Sequence, residues 1–157
     1  MAARGEGLGR VFNVIHEASG LDIPLTQGTA VSFVSFVATG DQVLTFTQTD
    51  STGVNSEADL NIFTAGTNAV SPGNLASRVH IGPGVGGTWT EAADTDDNVF
   101  TNADATNDTV VITVRAEQLS DGYDRVQCTA ASGTCVAIIH DLVVQRKPGN
   151  LKSSLTA

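Results

Sequence analysis

The sequence predicts an all-β domain of the β-sandwich or jelly-roll type, with about eight or nine short antiparallel strands. The strand-forming residues valine and threonine are abundant, and so are glycine, asparagine and aspartate, which favour turns. Turn signals separate short apolar runs along the chain, without the long helical patterns that βαβ units require. A hydrophobic content of 41% in 157 residues suffices for the core of one domain.

The N-terminal region predicts an arm, a first strand and a loop. Residues 1–9 contain three glycines and no candidate core residue before Leu8, so we expect an extended arm that precedes a domain spanning residues 10–147. RVFNVIHEA (10–18) predicts the first strand. GLDIPLTQG (20–28) predicts a loop, because its proline cannot lie within a central strand.

The next region predicts a hairpin followed by a capped helical turn. AVSFVSFVA (30–38) is apolar on both faces, which indicates a well-buried strand. VLTFTQTD (43–50) alternates more cleanly, and Thr39-Gly40-Asp41 between the two runs is a turn signal. SEADLNIF (56–63) opens on a serine followed three residues later by an acid, which predicts a helical turn.

Strands and loops are expected to alternate through the second half of the chain. SRVHIG (77–82) and TWTEA (88–92) predict short strands joined by a glycine-rich connection. TNADATND (101–108) predicts a loop, and TVVITVRA (109–116) predicts a strand. A turn or single helical turn is expected at AEQLSDGYD (116–124).

The last two runs predict a hairpin and a C-terminal arm. DRVQCTA (124–130) and CVAIIHDLVVQR (135–146) flank Ser132-Gly133, and residues 148–157 follow as the arm. Cys128 and Cys135 lie on either side of this turn, so either a disulfide or two free thiols fits the pattern.

Charge is distributed unevenly along a chain whose net charge is −9. Residues 41–124 carry 13 of the 17 acids and only two arginines, whereas residues 125–157 carry four basic residues and one acid. An acidic body repels nucleic acid and anionic membrane, so we expect neither as the main partner. A basic tail on an acidic body suits a protein partner with acidic patches, and a merely solvated tail is the alternative.

The candidate chemical motifs are incomplete. Neighbouring residues of a strand point to opposite faces, so His140 and Asp141 cannot hold one ligand together. IGPGVGGTWT lacks the third glycine of a dinucleotide fingerprint, and Trp89, the only tryptophan, is expected in the core. DTDDN (94–98) lacks the glycine and glutamate of a calcium-binding EF-hand loop, although a looser calcium site remains an alternative. We therefore expect no enzyme, no metal and no cofactor.

Three stretches carry a resemblance to a known family: GGTWTEAADTDDN, TVVITVRAEQLSDGYDRVQCTAA and AIIHDLVVQRKPGNL. They resemble the head-decoration, or minor capsid, proteins of tailed bacteriophages that infect actinobacteria. The shared pattern includes an "L-x-D-G-Y/F" turn, here Leu119 to Tyr123, and an "HDL-x-V-Q-R-x-P-x-N-L" close, here His140 to Leu151. The resemblance covers residues 75–152, and the two cysteines are not part of it.

The resemblance implies a non-enzymatic β domain on the outer surface of the virion head, made in the host cytoplasm. Such a domain binds the assembled major capsid protein, often as a homo-oligomer such as a trimer, and grips it with extended termini. We expect the contact with the partner at Ile23, Pro24, Leu25, Val144, Arg146, Lys147, Pro148 and Leu151. A tail-tube or head-completion subunit is the alternative. A carbohydrate-binding module is disfavoured, because one Trp and one Tyr make a poor aromatic platform.

Overall fold

The computed structural model describes residues 13–26, 28–63, 79–82, 88, 90–91 and 98–140. These residues are nearly all in strands, which form one curled antiparallel sheet, and this confirms the all-β fold class. Whether the strand connections amount to a jelly roll stays a prediction, as do the limits of the two arms, which lie outside the described residues.

Nine strands lie in the described part of the chain, together with one short 3-10 helix at Ala116–Gln118. In chain order the strands are β1 (Asn13–Ile15), β2 (Asp22–Pro24), β3 (Ala30–Thr49), β4 (Ala58–Asp59), β5 (Val79–Gly82), β6 (Thr90–Glu91), β7 (Val99–Arg115), β8 (Arg125–Ala130) and β9 (Thr134–His140).

The predicted hairpin of residues 30–38 and 43–50 is wrong, because both runs belong to the single 20-residue strand β3. β7 pairs with both of these runs, and the register shifts between Gly40 and Gln42. Instead of reversing the chain, Gly40 adopts a φ of 98° at this irregularity.

The predicted loop at residues 101–108 is also wrong, since it is the exposed middle of the 17-residue strand β7. Asp104 and Asn107 adopt φ values of 54° and 55° there. Asparagine and aspartate tolerate this left-handed conformation better than most residues, so a turn-like composition fits inside a bent strand.

The predicted last hairpin is wrong as well, because β8 and β9 pair with β3 rather than with each other. β9 lies along residues 30–36 of β3, and β8 lies along residues 44–49. The two strands therefore run end to end beside β3, and they are connected through Gly133, whose φ is 79°.

The bend divides the sheet into two parts that pack on each other. The first half-sheet contains β1, β9, residues 30–36 of β3, residues 109–115 of β7, β5 and β6; the second contains β2, β8, residues 44–49 of β3, and β4. Their facing side chains form one core. Its largest buried side chains include Phe33, Leu44, Phe46, Ile62, Phe100, Ile112 and Ile139.

Two short segments differ from their predicted forms. Residues 56–63 contain the two-residue strand β4 instead of a helical turn, and Leu60, Ile62 and Phe63 enter the core beside β3. The predicted loop at residues 20–28 contains β2, which pairs with β8 alone among the strands that the structure describes. Its position at the sheet edge explains how a strand can contain Pro24.

Other elements are confirmed. β5 lies within the strand predicted at residues 77–82, and β1 lies within the run predicted at 10–18. Residues 116–124, expected to form a turn or a single helical turn, contain the 3-10 helix.

Both cysteines are free and buried, on opposite half-sheets at the inside of the bend. The segment from Ala18 to Gly20 crosses between them: the Ala18 amide donates to the Cys135 carbonyl at 2.8 Å, and the Gly20 amide donates to the Cys128 carbonyl at 2.9 Å. A hydrogen bond with the Cys135 side chain, together with burial, raises the pKa of Cys128 well above that of an ordinary thiol. Cys128 is therefore an uncharged core residue.

Candidate functional site

The outward-facing side of the first half-sheet is unusually apolar. Along β3, Val31, Phe33 and Ser35 point into the core, whereas Ser32, Val34 and Phe36 point outward. The same alternation on β1, β7 and β9 completes what we call the outer face. It consists of Val14, Ser32, Val34, Phe36, Thr109, Val111, Thr113, Thr134, Val136 and Ile138.

The ten residues of the outer face are uncharged, and two of the large apolar ones are exposed. Beyond these ten, Arg115 continues the alternation of β7 on this side, and the register places His80 and Glu91 in the same cross-strand row as Val34 and Val111. Phe36 is 44% exposed and Val14 is 45% exposed. Cross-strand pairing places Val34 directly between Val111 and Val136, which makes a continuous aliphatic stripe across three strands. The second face of an antiparallel sheet is normally polar when it meets only water. An apolar face of this kind is typical of a surface that binds another protein.

A cleft of about 830 Å³ opens at one end of the outer face. At its floor the Ser32 hydroxyl lies within hydrogen-bond distance of two side chains, 2.7 Å from both Thr113 Oγ1 and His140 Nε2. Leu25, Ala30 and Ala116 contribute apolar surface, and Arg115 with Glu117 lies at the exposed rim.

The contact between Ser32 and His140 resembles the start of a nucleophilic pair, but its surroundings do not support that chemistry. A serine nucleophile needs a free hydroxyl and nearby N–H donors for an oxyanion. Here the hydroxyl is also bonded to Thr113, and Ser32 is paired with strands on both sides. We interpret His140 as a structural residue that holds the end of β9 against β3.

The structure does not bring the predicted contact residues together on a surface. Ile23 is 0% exposed, Leu25 is 4% exposed and Pro24 is buried, because β2 packs into the core of the second half-sheet. These three side chains are therefore covered in the folded chain, and their contact with a partner stays a prediction. The other five, from Val144 to Leu151, lie outside the described residues.

The outer face had a signal in the sequence that was interpreted differently. The run at residues 30–38 is apolar on both faces, and this predicted a well-buried strand. The structure buries one face of the run and leaves Phe36 on the other face accessible. The cleft had no such signal, since Ser32, Thr113 and His140 come from three distant parts of the chain.

Neither a metal site nor a membrane-spanning helix can be identified in the part of the chain that the structure describes. No three His, Cys, Asp or Glu side chains converge there as metal ligands would. No described helix is long and apolar enough to cross a membrane. Trp89, Asp141 and most of the run at 94–98 lie outside this part.

Comparisons with protein-family models, with curated proteins and with solved structures found no match to this chain.

Proposed function

We propose that the protein is a structural virion component that binds the outside of the assembled major capsid protein lattice and stabilises a phage head. The observation that supports this best is the apolar outer face, built from ten uncharged residues, on a chain whose net charge is −9. Such a face suits a subunit of a larger assembly. The role requires no catalytic group, cofactor or metal.

The resemblance across residues 75–152 supports the same proposal and indicates the major capsid protein as the partner. The basic C-terminal segment is the part of the chain suited to an acidic patch on the capsid, because Arg146 and Lys147 can form charge-assisted hydrogen bonds with carboxylates. The acidic loops of the body then face away from the capsid.

The test is to add the purified full chain to phage heads that lack it and to image the heads. We expect regular extra density on the outer shell. The double variant Arg146→Glu/Lys147→Glu should show reduced occupancy, whereas Asn61→Glu, which adds negative charge at an exposed position of the body, should bind normally. Full occupancy of the double variant would count against the tail as the contact.

A tail-tube or head-completion subunit is the second candidate. A curled antiparallel sheet with a largely apolar face also suits subunits that associate side by side into a ring. In that case the heads would gain no density on the shell, and the protein alone would form rings or tubes.

A further inference from the structure

We propose that Cys128 and Cys135 are a modification site: hydrogen peroxide converts the two buried thiols into a disulfide that locks the two half-sheets together. In a reducing compartment both stay as thiols. This inference goes beyond the proposed function and does not depend on it, because the two cysteines are not part of the resemblance to decoration proteins. It is supported by the contact between the thiols, by the segment that joins their backbones and by their different acidity.

The two cysteines belong to different half-sheets, yet their side chains meet in the core. Cys128 on β8 is paired with Phe46 of β3. Cys135 on β9 is paired with Ser35, in the other half of the same strand. Both side chains belong to one buried cluster, and a hydrogen bond joins the two sulfur atoms. Thiols already in contact can form a bond without the large backbone movement that distant cysteines need.

The segment that precedes β2 joins the backbones of the two cysteines. The Ala18 amide donates to the Cys135 carbonyl at 2.8 Å, and the Gly20 amide donates to the Cys128 carbonyl at 2.9 Å. Between these two contacts, Ser19 forms a β-bridge with Cys128. Three consecutive residues therefore hold β8 and β9 next to each other, independently of the thiols. The fold keeps the two sulfur atoms close before any oxidant arrives.

The two thiols differ in acidity, and this difference assigns their roles. The hydrogen bond from the Cys128 side chain lowers the pKa of Cys135. The same hydrogen bond, together with burial, raises the pKa of Cys128. Because the thiolate is the reactive form, Cys135 is the attacking group and Cys128 is the thiol that completes the disulfide.

Burial selects a small oxidant. Cys128 is 0% exposed and Cys135 is 2% exposed, so a bulky disulfide such as oxidised glutathione cannot approach either sulfur as thiol–disulfide exchange requires. Hydrogen peroxide is small and uncharged, and it reacts with thiolates to give sulfenic acids. It is therefore the oxidant that suits this pair.

The reaction balances in two steps. The Cys135 thiolate attacks one peroxide oxygen and breaks the O–O bond, which gives a sulfenic acid and hydroxide; the hydroxide takes up the proton that Cys135 released. The Cys128 sulfur then attacks the sulfenic sulfur, and its proton leaves with the hydroxyl group as water. Each sulfur loses one electron, and one peroxide becomes two waters.

The disulfide should stabilise the packing of the two half-sheets. It closes a connection in which six residues separate the two cysteines. A short loop of this kind restricts the unfolded chain modestly, so we expect the thermal unfolding midpoint to rise by about 5–10 °C on oxidation.

The test is to treat the reduced full chain with hydrogen peroxide under native conditions, remove the peroxide, and alkylate the remaining thiols in urea. Intact mass should show a monomer that is two hydrogen atoms lighter and carries no alkyl group. Its thermal unfolding midpoint should be higher, and dithiothreitol should return it to the starting value. Alkylation in urea reaches buried thiols, so a thiol that did not react is counted.

Two serine variants test the roles of the thiols. In Cys128→Ser the hydroxyl can still donate to Cys135 but cannot complete a disulfide, so the sulfenic acid should accumulate and be trapped by dimedone. In Cys135→Ser the remaining thiol is buried and should be recovered as an alkylated cysteine. Thermal unfolding before oxidation checks that each variant is folded.

Several outcomes would overturn the inference. These are a treated wild type that still carries two alkylated thiols, cysteines that gain oxygen without a cross-link, a disulfide between two chains, or a cross-linked monomer that unfolds at a lower temperature than the reduced one. Dimedone labelling of Cys135→Ser in place of Cys128→Ser would overturn the assigned roles. Binding to heads is measured separately, so a failed disulfide and a failed capsid role give different results.

Discussion

Phe33 and Phe46 belong to the same strand, yet their rings meet edge to face across the core, with centroids 5.6 Å apart and planes at 73°. This contact is made because β3 bends near Gly40 and its two halves enter opposite half-sheets. Phe46 also meets Phe63, again at 5.6 Å, so it joins the bend to the segment that follows β4. Phe46 is therefore central to the packing of the two half-sheets.

Replacement of Phe46 by alanine should destabilise the fold strongly. The side chain is 0% exposed, and the change would remove its apolar burial, leave a cavity and break two ring contacts. We expect a loss of about 3–5 kcal/mol in the free energy of unfolding, measured by urea denaturation. Val54→Ala, on an exposed loop, should change it by less than about 0.5 kcal/mol. Equal effects of the two changes would refute the central role of Phe46.

Replacement of Gly133 by alanine should destabilise the connection between β8 and β9. An added Cβ would lie 2.1 Å from the Phe36 carbonyl oxygen, which belongs to the backbone and cannot move aside. The φ of 79° adds the strain that any L-residue meets in the left-handed region. We expect a marked fall in the thermal unfolding midpoint.

Gly53→Ala separates these two effects. Gly53 has a similar φ of 69°, but an added Cβ would meet nothing within 4 Å. It should therefore show only the conformational cost of about 1–2 kcal/mol, and Gly133→Ala should cost clearly more. If both alanine variants lose the same free energy of unfolding, the close approach to the Phe36 carbonyl oxygen does not contribute to the destabilisation.

The fold class could be predicted from the sequence because it depends on composition and local alternation, and these are the same in a short strand and in half of a long one. The bend was not predictable in this way. Thr39-Gly40-Asp41 has the composition of a turn, and so does the stretch with Asp104 and Asn107. In the structure both stretches are irregular parts of continuous strands, and they lie side by side where β3 pairs with β7. Only the pairing of β3 with β7, which is a long-range contact, distinguishes a bend from a reversal.

The same limit applies to the candidate surface. Residues 20–28 were predicted as a loop, and Ile23 and Leu25 were predicted at a contact. In the structure β2 pairs with β8, and both side chains lie in the core. Phe36 was predicted to be buried from its apolar neighbours. The hydrophobic pattern of one strand does not show which of its two apolar faces will be covered by a second layer. In this chain the second half-sheet covers one face of residues 30–36 and leaves the other uncovered.

Ser35 and Gln42 form a buried polar pair at the bend, and their replacement should be strongly non-additive. Gln42 Nε2 donates to Ser35 Oγ at 2.9 Å, and both residues are 0% exposed. Gln42 Oε1 has no hydrogen-bond partner among the described residues. Ser35→Ala should cost about 1–3 kcal/mol, since it also leaves the amide nitrogen without its acceptor.

The double variant Ser35→Ala/Gln42→Leu should be more stable than Ser35→Ala alone, because it removes the whole buried amide. The measurement is a double-mutant cycle by urea denaturation, with an expected coupling of about 0.5–3 kcal/mol. Additive effects would show that the pair is not energetically linked.

Asp50 should support stability in a pH-dependent way through the loop that follows β3. Its carboxylate accepts hydrogen bonds from the Asn55 amide, from the Thr52 hydroxyl at 2.8 Å and from the Thr52 amide at 2.7 Å. These bonds, the one from Asn55 foremost, hold the pKa of Asp50 well below its usual range. A carboxyl whose pKa is depressed by folding stabilises the fold above the unfolded value of about 3.9 and loses this effect as the pH falls towards the folded value.

The variant Asp50→Asn isolates this contribution. At pH 7 it should unfold at a lower urea concentration than the wild type, and the difference should shrink as the pH is lowered below about 4. Carbon NMR of the wild-type side chain gives a direct measurement, in which the Asp50 carboxyl should stay ionised at pH values where an unfolded aspartate is half protonated. A difference in stability that is constant from pH 7 into the acid range, or an Asp50 signal that titrates near 3.9, would contradict the role of these hydrogen bonds.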